Sequence, residues 1–308
     1  MPVELTPELL AEVQEALGLP HVALVEKDFH VARALAALSR FNGDPRLVFG
    51  GGTALSRAHR ITKRMSEDID LKIVSDNPLT QGQRRAFRAE VVNALLDAGF
   101  AFDPANPADL LVENGGKKLT FNLNYPTVVP ALAALRPFIK VELSVSPCYG
   151  EPVLLPITSF VNEVLGLPPE VPAMPCAPIQ ETAAEKFVAL TRRVGQEQLD
   201  GPDRDATLVR HIYDLSALDG RHSHSETGPV LLAVVAQERE GRGNRFPAYA
   251  ADPRSEIIAA ISALRTDPAY EAAFAAFQRD MVYGDAAEFA QCLDVLDALA
   301  LLMDDVER

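Results

Sequence analysis

A chain of 308 residues, 48% of them hydrophobic, holds about two domains' worth of sequence and enough apolar side chains for a substantial core, which excludes disorder as its main state. Its longest apolar runs, 231–236 and 298–303, are far shorter than the ~20 residues of a membrane helix, and the acidic N-terminal segment does not read as a signal peptide. A soluble, cytoplasmic protein with no membrane partner is expected. Three cysteines without a CxxC pair exclude a disulfide framework or zinc knuckle, and a net charge of −14 argues against broad coating of nucleic acid.

Residues 5–17 open with Thr6 as N-cap and carry apolar side chains at helical spacing, and 26–41 repeats the pattern, so two helices lead the chain. The apolar run 47–49 enters Gly50-Gly51-Gly52-Thr53, after which 54–58 returns to helical composition: strand, glycine turn, helix. DIDLKIV at 68–74 alternates polar and apolar side chains as a strand with one wet face should. An amphipathic helix at 81–98 and strands at 119–124 and 138–145 complete an α/β (α+β) mixed-sheet domain, residues 1–170. Five prolines in 167–178 are incompatible with a helix or central strand, so the domain boundary is expected there. The second domain, 171–308, is expected to be helical, with helices at 182–193, 205–218, 230–240, 255–264, 268–282 and 286–303 and a mobile loop at 241–253.

The chemistry concentrates in Gly51-Gly52-Thr53-Ala54-Leu55 and, eleven residues on, Ser66-Glu67-Asp68-Ile69-Asp70-Leu71. Residues two apart in a strand share a face, so Asp68 and Asp70 lie side by side while Ile69 and Leu71 enter the core. Adjacent carboxylates repel unless a cation lies between them, and a hard divalent ion such as Mg²⁺ or Mn²⁺, shared with substrate phosphates, meets that need. Paired glycines let backbone N–H groups approach a polyphosphate, and Thr53 adds a hydroxyl where the next helix begins. IKVELSV at 139–145 puts Lys140, Glu142 and Ser144 on one face, and Glu142 becomes the third metal-site carboxylate. For a lone DxD a solvated strand end would explain as much; the glycine turn upstream and the strand-borne glutamate downstream favour a metal–nucleoside triphosphate cradle.

In the helical half, Lys186 shares a stripe with Thr182 and Arg193, and on the next predicted helix Asp214 lies four residues from Arg210 and three from His211. Surface ion pairing is the plain reading of such spacings. Alternatively, Lys186 holds triphosphate charge and Asp214 anchors Lys186 or the acceptor. His222-Ser223-His224 falls in a polar loop without a further ligand, and the aromatics at 274, 277 and 283 have core spacing.

GGTALSRAHRITKRMSEDIDL resembles the first signature of the AbiEii/AbiGii (MenT-like) nucleotidyltransferase toxins, close to GGT-x-L, a spacer, then R-x-S-x-DIDL. EKDFHVARAL is similar to that family's N-terminal KD helix, IKVELSV to its second carboxylate strand, AAEKFVALTRR and RHIYDL to its later lysine and aspartate motifs, and DMVYG to its C-terminal segment. The resemblance spans about residues 20–300. It implies a DNA polymerase β-like nucleotidyltransferase fold followed by an all-helical domain. It also implies the toxin of a toxin–antitoxin pair, with a cognate antitoxin encoded nearby, that moves a nucleotide from an NTP onto an acceptor, in known relatives the 3′ end of tRNA, and so blocks translation. Residue by residue, Gly51, Gly52 and Thr53 match the phosphate-binding turn, Ser66 the motif serine, Asp68 and Asp70 the metal ligands, Lys186 the essential lysine, and Asp214 the late aspartate. Many relatives read RD-x-x-DL where this chain has Arg210-His211-Ile212-Tyr213-Asp214, which leaves Asp214 as the aspartate assigned.

Two other functions fit the same residues: nucleotide transfer to a small molecule or protein hydroxyl, and a nucleotide-binding protein without turnover. A full set of Asp68, Asp70 and Glu142 favours turnover, since a pure binder needs no third carboxylate. Ser66 lies two residues before Asp68, so a phosphate there would set negative charge beside the metal carboxylates and oppose NTP binding. Residues 46–72 carry six basic and three acidic side chains, whereas 215–308 carry eight and sixteen. The acidity is therefore local, and Arg57, Arg60, Lys63 and Arg64, with Arg193, are expected to guide a short RNA end.

Overall fold

The computed structural model describes residues 3–133, 135–200, 205–242 and 246–303, which group into two compact units. The first comprises residues up to Arg60 and Met65–Ala177; the second comprises Ile61–Arg64 and the chain from Pro178 onward.

In the first unit, α1 (Pro7–Leu17) starts at Thr6, whose hydroxyl accepts from the Leu9 amide at 3.2 Å, and stops at left-handed Gly18. Helix α2 (Val22–Leu38) begins four residues before the expected start because His21 Nδ1 accepts from the Ala23 amide at 3.0 Å. It is buried along nearly its whole length, so Glu26, Lys27, Asp28 and His30 are interior and must find partners there. Strand β1 (Arg46–Gly50) leads directly into α3 (Gly51–Arg57), and β2 (Asp68–Val74) has the boundaries its alternation implies. Helix α4 (Gln81–Asp97), closed by a Thr80–Gln83 capping box, precedes β3 (Leu110–Glu113), β4 (Lys118–Leu123), β5 (Ile139–Val145), β6 (Val153–Ile157), α5 (Phe160–Val164) and β7 (Val171–Cys176).

Among the described residues the strands form one seven-stranded mixed sheet in the order β3-β4-β5-β2-β1-β7-β6. The pairs β2–β5 and β1–β7 are parallel and the others antiparallel. Its core face carries Phe49, Ile69, Leu71, Phe121, Val141 and Leu143, each at most 2% exposed. The proline-rich segment corrects an expectation, because 171–176 is a strand inside the sheet. Proline is tolerated because β7 meets β1 at a single register pair, Phe49 with Cys176, and its ladder to β6 shifts register near Ile157, so few amide donors are required of it. The compact sheet unit therefore runs to Ala177.

The second unit contains α6 (Ile179–Asp200), α7 (Val209–Leu218), α8 (His224–Arg242), α9 (Pro247–Ala251), α10 (Pro253–Thr266), α11 (Pro268–Met281) and α12 (Phe289–Leu301). Segment 61–64 belongs to it through the Lys63 carbonyl, which accepts from the Tyr283 amide at 3.0 Å, and through a bridge between Arg64 and Val282. Phe274 is buried against Phe289 and Phe277, as its spacing suggested. Two loop expectations are revised: His224 opens α8, and 241–253 includes α9, while residues 243–245 of that loop lie outside the described residues. Cys176 and Cys292 are buried thiols, and among the described residues no helix is long and apolar enough to cross a membrane.

Candidate active site

Antiparallel pairing of β1 with β2 sets Gly50 opposite Asp70, and parallel pairing of β2 with β5 sets Asp70 beside Glu142 and Asp68 beside Lys140. All four polar residues share the sheet face opposite the core and are half-buried. Gly51 has φ +70° and lies against Asp70: a Cβ built there would overlap the carboxylate, with Asp70 Cγ only 2.9 Å away. Only glycine meets both demands, so the turn brings backbone to the carboxylates as closely as the chain allows.

Thr53 corrects one expectation. It is fully buried, its Oγ1 lies 2.8 Å from Ser66 Oγ, and it hydrogen-bonds the Asp68 carbonyl. Its hydroxyl ties the glycine turn to the segment entering β2 and is spent there, not presented to a ligand. Ser66 is half-buried above it.

Arg136, Glu67, Lys140 and Lys27 surround the carboxylates, and of these Arg136 lies outside every motif of the sequence. The Arg136 guanidinium pairs with Asp68 and lies 4.0 Å from Glu67, and Lys140 Nζ lies 2.6 Å from Glu142 Oε1. Lys27, 0% exposed on α2, donates to the carbonyls of Arg136 at 2.7 Å and Phe138 at 2.5 Å and pairs with Glu67 at 3.1 Å. Burial lowers the pKa of this ammonium, and the Glu67 charge opposes that fall. Among the described residues no group of three His, Cys, Asp or Glu side chains converges as ligands for one ion. The donor chemistry of Asp68, Asp70 and Glu142 nevertheless suits a hard divalent cation, since all three are carboxylates on one face of adjacent strands.

In the second unit, Asp214 is fully buried and takes a two-pronged grip from Arg64, Nε to Oδ1 at 2.6 Å and the terminal nitrogen to Oδ2 at 2.7 Å, while Lys186 Nζ lies 2.8 Å from Oδ2. Burial works against the Asp214 charge, but Arg64 and Lys186 outweigh it and hold the carboxyl well below the usual range. His211, one turn away, is kept neutral by burial and by Lys186 and Arg210, and its buried Nδ1 has no hydrogen-bond partner. The Asp214 anchoring of Lys186 thus includes a second cation that sequence spacing did not reveal.

Two of the five residues of the expected RNA guide, Arg57 and Arg64, are turned inward. Arg57 pairs with buried Asp28 at 3.4 Å and stacks 3.9 Å from the Phe160 ring centroid, and Arg64 is committed to Asp214. Both guanidiniums balance buried carboxylates, which is why neither serves as a surface contact. Arg193 pairs with Asp205; Arg60 and Lys63 are the exposed members of the set.

A family model described as nucleotidyl transferase AbiEii toxin, type IV TA system, matches residues 33–295. The solved structure of the nucleotidyltransferase toxin MenT4 from Mycobacterium tuberculosis H37Rv is similar at 20% identity and a TM-score of 0.53, over 97% of this chain and 99% of that one, which shows a common fold. No curated protein matches.

Proposed function

The chain belongs to the AbiEii nucleotidyl transferase toxin family of type IV toxin–antitoxin systems, and from that premise we propose that it transfers a nucleoside monophosphate from an NTP to the 3′ end of tRNA in the cytoplasm, blocking translation until a cognate antitoxin counters it. The observation that carries this reading is the register of Asp70 beside Glu142, with Gly51 packed on Asp70. Asp68 and Asp70, with Glu142 as the third carboxylate beside them, are the residues to hold a divalent cation, Mg²⁺ or Mn²⁺, which when bound supplies Lewis-acid charge to the triphosphate. Gly51 and Gly52 bring backbone up to the phosphates, with Ser66 beside them.

Glu142 accepts the proton of the acceptor hydroxyl, whose oxygen attacks the α-phosphorus; the bond to the bridging oxygen breaks and pyrophosphate leaves. Thr53 acts through others, fixing Ser66 and the Asp68 main chain. Lys186 and Asp214 enter through the family resemblance, Asp214 as the anchor that orients Lys186. Arg60 and Lys63 are the exposed cations available to the RNA backbone.

The reading is tested by incubating the protein with Mg²⁺, each labelled NTP in turn and total RNA. Label in tRNA supports it; label confined to protein or small molecules overturns the tRNA assignment, and binding without transfer overturns the enzyme.

A further inference from the structure

We propose that Arg136 is a nucleotide-binding residue that exchanges partners, neutralising Asp68 until a divalent cation takes that carboxylate and then pairing with a phosphate of the nucleotide. This rests on the reading of Asp68, Asp70 and Glu142 as the metal-binding face. The guanidinium pairs with one oxygen of the Asp68 carboxylate, Oδ1, so a metal ion arriving there competes with the arginine for that negative charge.

The arginine is built to move at its head alone. Its amide donates to Glu67 Oε2 at 3.0 Å and its carbonyl accepts from Lys27 Nζ at 2.7 Å, so the main chain is held from both sides. Its side chain is 38% exposed, so the guanidinium can leave Asp68 without disturbing the loop. A displaced guanidinium is suited to phosphate, whose oxygens match its planar fork. The Lys140–Glu142 pair, 28% and 30% exposed, adds a second cation that a metal must compete with. Metal alone therefore leaves Arg136 only Glu67, 4.0 Å away and already paired with Lys27, while nucleotide supplies a fresh receiving charge. Each ligand tightens the other, and the coupling is reciprocal.

Mn²⁺ serves as the probe, its binding to the full-length protein followed by the loss of free-ion electron paramagnetic resonance signal, with and without a non-transferable α,β-methylene NTP analogue. Arg136→Ala is expected to bind Mn²⁺ alone at least ~5-fold more tightly than wild type and to lose the tightening that the analogue gives wild type. Arg136→Lys, which keeps the charge, is expected to return Mn²⁺ affinity toward wild type. Unchanged Mn²⁺ affinity in Arg136→Ala with the analogue effect intact overturns the partner exchange. Asp70→Ala separates the two readings: if it abolishes Mn²⁺ binding while Arg136→Ala changes nothing, only the exchange fails. If Asp70→Ala leaves Mn²⁺ binding untouched, the metal face itself is refuted.

Discussion

Gly51 sits against the Asp70 carboxylate, in a left-handed backbone conformation, so that even one methyl group at position 51 would overlap the Asp70 side chain. Gly51→Ala is therefore expected to cost about 1–2 kcal/mol from the backbone alone, and to push Asp70 out of line with Glu142. Thermal unfolding should show a fall of roughly 2–4 °C per kcal/mol, and nucleotide transfer should drop at least ~10-fold. A variant with wild-type transfer would show that the close approach has no bearing on the chemistry.

Asp28 offers a pH test of the buried charges on α2. Burial pushes its carboxyl up to about 6 from an ordinary 3.8, although Arg57 and the Phe160 amide pull the other way. A carboxyl whose pKa rises on folding weighs against the folded state as pH climbs from about 4 to about 6, by up to about 3 kcal/mol. The melting temperature of Asp28→Asn should gain on wild type across that window and run parallel above it. Parallel curves from pH 4 upward would contradict the account.

Asp214 shows the opposite sign. Its pKa falls on folding, so its contribution is complete above the ordinary carboxylate value and shrinks as pH drops below it. Asp214→Ala leaves Arg64 and Lys186 facing each other without their shared anion, which should cost about 3–5 kcal/mol at pH 7. Urea denaturation of the two proteins should show that gap at pH 7 and a smaller one below pH 4. A gap that does not change with pH would mean that the carboxylate charge is not what stabilises the triad.

These three sites mark how far the sequence can be read. Alternation in DIDLKIV fixes both the ends of β2 and the face carrying Asp68 and Asp70, because the side-chain period of a strand is local. The sheet position of 171–176 was hidden because it depends on how few amides β1 and β6 require of β7, a property of the neighbours. Arg57 and Arg64 read as surface cations because their partners lie far off in sequence: Arg64 meets Asp214 across 150 positions. Lys27 was visible as part of a helical motif, but its grip on the loop carrying Arg136 spans more than a hundred residues. Local periodicity thus reports faces, while the charge network around the site is set by chain topology.

Arg60→Glu with Lys63→Glu tests the RNA reading without touching buried groups, since both side chains are exposed. The double variant should keep its melting temperature and lose transfer to RNA, with the larger deficit at low salt where phosphate contacts weigh most. Arg57→Ala, by contrast, should lower stability, because it strips buried Asp28 of its cation. Undiminished transfer to RNA by the double variant would remove the electrostatic support for an RNA acceptor.

The central claim is that Asp70, aligned with Glu142, serves a metal-dependent transfer of nucleotide to tRNA. The most direct measurement is label transfer from each NTP to total RNA with Mg²⁺, comparing wild type with Asp70→Ala after both are shown to share one melting profile. The account predicts label in the tRNA fraction with wild type and at least ~100-fold less with Asp70→Ala. Label in no RNA at all, or equal labelling by the two proteins, would contradict it.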